Sequence, residues 1–168
     1  MKYFDEVRVG DKFELGSHRF TATEIKTFAG RFDPQRFHMD EDEAARSHFG
    51  ALCASGWHTV AVWMKLLVAY RKRAAEAAQL RGEPVARIGP APGFRNLKWL
   101  KPVFVDDTVV YMSEVIETRL SASRPDWGLI TSRASGVNQH GETVMSFEGV
   151  AFVERRPRQV EQLRSVER

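Results

Sequence analysis

Between residues 11 and 21 the apolar positions Phe13, Leu15 and Phe20 alternate with polar ones, which predicts an early strand. Thr23 then reads as the N-cap of a short helix reaching Gly30, with Ile25, Phe28 and Ala29 on one face. Pro34 interrupts that pattern and predicts a loop over residues 31–40. Asp40 follows as the N-cap of a short acidic helix over 41–47, whose carboxylates suit the positive end of a helix. Phe49-Gly50 closes it. From Ser55 to about Gln79 the spacing is helical again, with Trp57, Val60, Met64, Leu67 and Val68 on one side and Val62, Trp63 and Leu66 on the other. A helix apolar nearly all round predicts one surrounded by protein. Its Ala-rich, polar second half, from Arg71, predicts emergence into solvent.

A Gly- and Pro-rich loop over 82–93 separates this helix from a second region where the apolar period becomes two. Strands are predicted over 94–100, 108–118, 128–138 and 143–154. Asn138-Gln139-His140-Gly141 is a tight-turn signal that makes the last two an antiparallel hairpin and leaves His140 exposed. An early strand, a buried helix and four antiparallel strands form an α+β layout. The economical packing wraps one curved antiparallel sheet around the long central helix. A single sheet on a small domain has long edges, which pairing with a second copy covers, so a homodimer or higher homo-oligomer is expected.

The 168 residues suit one domain, taken as 1–154, followed by a basic tail over 155–168. Arg155, Arg156, Arg158, Arg164 and Arg168 are interleaved there with Glu154, Glu161 and Glu167, which reads as a solvated tail and secondarily as a weak anion-binding arm. The formal net charge of +3 and the absence of a recognition motif give no support to nucleic-acid binding. Cys53 is the only cysteine, which excludes a disulfide framework and fits a reducing compartment. It lies in the apolar run Ala51-Leu52-Cys53-Ala54 and reads as a buried structural thiol. Scattered histidines and a lone cysteine offer no zinc spacing, so no metal is expected. Asp5, Glu6 and Asp11 stand where a signal peptide would be apolar. His58 and Lys65 interrupt the apolar stretch 51–70, so no membrane span is expected and the location is read as cytoplasmic.

The chemistry concentrates in Asp33-Pro34-Gln35-Arg36-Phe37-His38. A carboxylate and an imidazole on one short, Pro-stiffened segment can hold a single water between them. Ser55-Gly56, at the start of the long helix, offers backbone N–H groups for a developing oxyanion. Base, acid and anion site together suggest an enzyme that adds or removes water. Ser55 reads first as an N-cap and second as a substrate contact, and His58 as a packing residue or a support for the site. His18 and His48 read as surface or loop residues.

On these residues the chain resembles the MaoC-like hydratases and dehydratases of the hot-dog fold, which include the (R)-specific enoyl-CoA hydratases. The matching runs are Phe28 through Asp40, then Phe49-Gly50 and Ala54-Ser55-Gly56, then Leu100 through Thr108 with Pro102-Val103 and Asp106-Asp107. The resemblance spans roughly residues 5–153. The Asn-Pro pair usual inside the motif is here Gln35-Arg36, with the proline at 34. A serine that some hydratases carry on the helix is Ala61, and the Gly of the family's Gly-Asp is Asp106.

The resemblance implies reversible hydration of trans-2-enoyl thioesters to (R)-3-hydroxyacyl thioesters by syn addition. Asp33 and His38 would be the catalytic pair, with Gly56 and Ser55 at the oxyanion and substrate site. No cofactor is expected beyond the coenzyme A or acyl-carrier group of the substrate. Arg95, Lys98 and Lys101 alternate suitably for the mouth of a thioester channel, and a solvated strand face predicts the same pattern. The loop 82–93 and the Trp-rich helix are expected to shape an acyl pocket. Two other readings fit the scaffold: a hot-dog thioesterase, and a non-catalytic acyl-binding subunit.

Overall fold

The computed structural model describes residues 2–157. Among them five antiparallel strands form one sheet: β1 (Lys12–Arg19), β2 (Gly93–Trp99), β3 (Thr108–Leu120), β4 (Trp127–Val137) and β5 (Thr143–Glu154). Their spatial order is β1-β3-β4-β5-β2. Between β1 and β2 the chain forms α1 (Ala22–Phe32), α2 (Arg36–Met39), α3 (Glu41–Arg46) and the 25-residue α4 (Gly56–Leu80). Sheet and α4 together make the hot-dog fold, α+β, with the sheet wrapped around a long central helix.

Alternation decides which strand residues meet the helix. On β3 the buried set is Val109, Tyr111, Ser113 and Val115, every second position. Val109 and Tyr111 join Leu15 and Phe20 from the first strand region, Met145 and Phe147 from β5, and Val62 and Trp63 from α4, while Val115 packs with Ile130 and Val153 in a second cluster. The Trp63 and Phe147 rings meet edge-on at 4.7 Å. Asn138 closes the β4–β5 hairpin by accepting the N–H groups of His140 and Glu142 on its Oδ1, while Gly141 takes φ +77°. His140 is exposed at that turn.

Several local expectations change. The N-cap of α1 is Thr21, not Thr23. Its Oγ1 accepts the Glu24 N–H while the Glu24 carboxylate accepts the Thr21 N–H, a reciprocal box that Thr23 lacks the downstream glutamate to form. The helix runs on to Phe32. The expected loop over 31–40 contains α2, a single turn nucleated once Pro34 has set the chain direction. Asp40 caps α3 as expected, accepting the Glu43 N–H at 2.9 Å.

Within one chain α4 is not wholly surrounded. His58, Thr59, Val62 and Trp63 are buried against the sheet, while Trp57, Met64 and Val68 on the opposite side are about half exposed. One curved sheet covers one face of a helix, so the other apolar face is open. His18 is not a surface residue either, because β1 points its ring edge-on against Phe20 at 4.8 Å. His48 is exposed.

The start of the expected tail is held down. Arg155 pairs with Asp5 at 3.2 Å and Arg156 with Glu6, tying the end of β5 to the 3-10 turn Phe4–Glu6. Arg158, Glu161, Arg164, Glu167 and Arg168 lie outside the described residues. No helix among the described residues is long and apolar enough to cross a membrane.

Candidate active site

The one-turn helix α2 turns His38 inward, where it is buried. Its Nδ1 lies 2.7 Å from the carbonyl oxygen of Cys53. A carbonyl only accepts, so Nδ1 carries the hydrogen and the neutral ring has its lone pair on Nε2. Nε2 faces Asp33 Oδ2 at 3.5 Å. Phe37 and Phe49 pack beside the imidazole, with Phe37 edge-on at 4.6 Å.

Asp33 is the C-cap of α1, placed where Pro34 ends the helix. Two side chains hold its carboxylate. Ser55 Oγ donates to Oδ2 at 2.6 Å, and Gln35 Nε2 donates to Oδ1 at 2.8 Å. Burial pushes this carboxyl up, but the hydrogen bonds from Ser55 and Gln35 and the adjacent His38 outweigh it, and the group lies below the ordinary carboxylate value. Asp33 is therefore ionised at neutral pH. A carboxylate and an imidazole lone pair facing each other are two acceptors, a pairing that suits a shared donor such as water.

Ser55 is fully buried and caps α4, its Oγ accepting the Trp57 N–H at 3.2 Å. Its carbonyl takes the His58 and Thr59 N–H groups. Among the described residues no acceptor takes the Gly56 N–H, which leaves one donor open at the helix start. Trp99 lies against Gly56 so closely that an added Cβ would overlap its ring. Trp57 meets Trp99 edge-on at 5.1 Å.

The late landmark supports the early ones directly. Ala54 N–H donates to the Val103 carbonyl at 2.7 Å, Val105 N–H donates to the Leu52 carbonyl, and Cys53 bridges Phe104. The Pro102–Asp107 segment thus holds the Cys53 carbonyl that orients His38. Asp106 takes φ +70°, a backbone region that favours glycine and that Asp tolerates better than most residues.

Asp33, His38, Ser55 and Gly56 therefore meet at one place. Sequence reasoning missed three contributors. Gln35 holds Asp33, a role that the departure from Asn-Pro signalled only as altered hydrogen bonding. Cys53 acts through its main chain, which no residue type announces. Trp99 had no motif to mark it. Arg36 points away, 3.9 Å from Glu43. Arg95 and Lys101 are paired with Glu148 and Glu142, at 2.8 and 3.3 Å. The Cys53 thiol is buried and pushed up to about 11 by that burial, which leaves it unreactive. His58 stacks flat on Phe28 at 4.6 Å, a packing position.

Beyond the first turn of α4 a cavity of about 1030 Å³ opens between the helix and the sheet. Trp63, Leu67, Phe94 and Phe147 line it, and Pro84, Ile88 and Gly89 of the 82–93 loop close one side. No set of three or more His, Cys, Asp or Glu side chains among the described residues is placed to hold a metal ion.

Residues 6–126 match the family model of the MaoC like domain. The chain belongs to the MaoC-like domain family. A MaoC-like dehydratase from Rhodospirillum rubrum is 38% identical, with a TM-score of 0.80 over 94% of this chain and all of that one. The (R)-hydratase of A. caviae involved in PHA biosynthesis is 26% identical, with a TM-score of 0.59 over 90% and 98%. The uncharacterized protein YdeM of Bacillus subtilis is 30% identical over 86% of this MaoC-like chain and 92% of its own length. A mesaconyl-CoA hydratase of Cereibacter sphaeroides is 38% identical over 72 residues, which is 43% of this chain and 20% of that protein.

Proposed function

We propose that this MaoC-like protein is a hydro-lyase that reversibly adds water to the trans-2 double bond of an enoyl thioester, giving the (R)-3-hydroxyacyl thioester. The observation that carries the reading is the Asp33–His38 pair, 3.5 Å apart, with Nδ1 committed to the Cys53 carbonyl and Nε2 free to act as a base. The (R)-hydratase and mesaconyl-CoA hydratase relatives support the reaction class, and the latter supports coenzyme A as the thioester carrier.

In the proposed step a water donates toward Nε2 and Asp33. Its oxygen bonds to the β-carbon as Nε2 takes its proton, and the π electrons move onto the thioester oxygen as an enolate. The open Gly56 N–H stabilises that oxygen; a preorganised donor of this kind typically contributes on the order of 10²–10³ in rate. The imidazolium, held against the Asp33 carboxylate, returns the proton through the pair to the α-carbon. Water has then been added in full and both groups return to their starting states. No cofactor other than the substrate's own carrier takes part.

The half-exposed face of α4 and the edge strand β2, with Phe94 and Trp99 exposed, support a homodimer as the working unit.

The test is turnover of crotonyl-CoA and of a panel of longer and branched trans-2-enoyl-CoAs by the purified protein. Loss of enoyl absorbance without thiol release, and an (R) product on chiral chromatography, is the expected result. Thiol release without hydration would instead identify a thioesterase. Absence of turnover with every substrate, above an Asp33→Asn/His38→Ala control, would identify a non-catalytic subunit.

A further inference from the structure

The cavity beside α4 has apolar walls, yet six charged residues reach it: Lys2, Glu6, Arg71, Arg81, Glu83 and Arg156. Five of them are matched. Lys2 pairs with Asp11 at 3.2 Å, Arg81 with Glu83 at 2.8 Å, and Arg156 with Glu6. Arg71 is half-buried and has no ion pair or hydrogen bond among the described residues. Burial lowers the pKa of its guanidinium. A guanidinium stays charged regardless, so among the described residues the cavity holds a cation without its anion. An uncompensated charge beside apolar walls is costly, and a matching carboxylate with two parallel hydrogen bonds offsets that cost.

The position along α4 sets a length. Val60, one turn beyond Gly56, lines the near end, and so does Leu97, two residues before the Trp99 that covers Gly56. Arg71 is fifteen residues beyond Gly56, about 22 Å along the helix. Its side chain leans toward the helix N-terminus, which reduces the span to roughly 15–20 Å. At about 1.2 Å per bond of an extended chain, that is roughly 12–16 bonds.

We propose that Arg71 receives the carboxylate at the far end of a long acyl chain held in this cavity, which makes long ω-carboxy enoyl thioesters the preferred substrate class. This rests on the hydratase reading above. The same carboxylate chemistry is offered by a free long-chain fatty acid bound without a thioester, and binding separates the two sources.

The experiment compares hexadecanedioyl-CoA, palmitoyl-CoA and free palmitate by calorimetry on wild type, Arg71→Met and Arg71→Lys. Turnover of the matching trans-2-enoyl pair, ω-carboxy and methyl-ended, is measured in parallel. Wild type is expected to favour the ω-carboxy member of each pair by about 10- to 100-fold, the range for a hydrogen bond to a charged group. Arg71→Met is expected to bring that ratio to one or below, and Arg71→Lys to retain part of it. A wild-type ratio near one, a ratio that Arg71→Met leaves unaltered, or Arg71-dependent binding of palmitate in preference to hexadecanedioyl-CoA would overturn the proposal. Calorimetry uses saturated chains, so it decides the Arg71 question even if no enoyl-CoA is hydrated. Thermal unfolding of each variant confirms that the cavity is still folded.

Discussion

The main-chain carbonyl of Cys53 accepts the Nδ1–H of His38 at 2.7 Å, and this bond decides which nitrogen of the neutral ring keeps its lone pair. With Nδ1 occupied, only Nε2 can take a proton, and Nε2 is the atom that faces Asp33. The bond is made by backbone that Val103 and Val105 hold in place, so the tautomer is a property of the fold and not of one side chain.

Removing either member of the pair should abolish most of the activity while leaving the fold intact. Asp33→Asn and His38→Ala are each expected to lower kcat on a trans-2-enoyl-CoA by about 10²–10⁴. Circular dichroism and thermal unfolding close to wild type would accompany the loss. Activity within a few-fold of wild type in either variant would rule the dyad out.

Ser55 makes two bonds with one hydroxyl, to Asp33 and to the Trp57 N–H, and a substitution separates them by readout. Ser55→Ala should cost about 0.5–2 kcal/mol of unfolding free energy through loss of the N-cap. It should also raise the Asp33 carboxyl, because burial still pushes it up while one of the opposing hydrogen bonds is gone. In the wild type the lowered Asp33 value gives stability that is present above the unfolded carboxylate value and lost as pH falls through the folded one. The variant loses it at higher pH. Carbon-13 detection of the Asp33 carboxyl measures the direction; an unmoved or lowered titration contradicts the assignment.

Gly56 and Trp99 are coupled by space. A methyl group at position 56 overlaps the Trp99 ring, so Gly56→Ala should destabilise by about 1–3 kcal/mol, as overpacking does. Trp99→Ala in the same chain should remove most of that penalty. A denaturant double-mutant cycle tests this, and additive costs would show that the close contact carries no strain.

The fold was readable from periodicity because its signals are local. The bounds of strands β2 to β5 lie within two residues of those expected, and Ser55 marks the start of α4 by a capping side chain. Thr21 and Thr23 are both cap residues, and only Glu24, three positions after Thr21, distinguishes them. Asp33, His38 and Ser55 stand out in the sequence because a motif names residue types, and Gly56 because it opens the long helix. The Cys53 carbonyl and the Trp99 ring act through backbone and through a contact made across the fold, and neither leaves a residue-type signature. The apolar periphery of α4 predicts burial correctly on one face only, because sequence pattern does not say whether the covering surface belongs to the same chain.

That open face yields its own test. Met64 and Val68 are about half exposed on the side of α4 turned away from the sheet. Sedimentation of the wild type is expected to give a multiple of 19.1 kDa. Met64→Glu/Val68→Glu should shift the protein toward the single-chain mass, since unpaired carboxylates in an apolar interface are strongly disfavoured. A wild type that sediments as a single chain would remove the dimer from the proposal.

His58 should make stability depend on pH in a window that lies largely above the titration of the carboxylates. It is buried between Phe28 and Phe20, its Nδ1 has no partner among the described residues, and burial pushes its pKa down to about 4. His18 opposes its protonation as well, while Glu24 favours it weakly. The unfolded chain binds the proton near 6.5 and the folded one only near 4, so between these values the unfolded state holds more protons. Stability therefore falls as pH drops from about 7 toward 4.5, by roughly 2–3 kcal/mol from this residue. Asp33 and Glu24 are lowered and still ionised over most of that range. His18 is lowered by its own burial and contributes in the same direction, so His58→Phe should flatten the profile without levelling it. The replacement keeps the flat stack on Phe28 and removes an unsatisfied polar atom, so stability near pH 7 should change little. Urea unfolding at pH 7 and pH 5 on both proteins measures the difference. An equal loss in wild type and His58→Phe would mean that the buried imidazole already has a proton partner in the folded state.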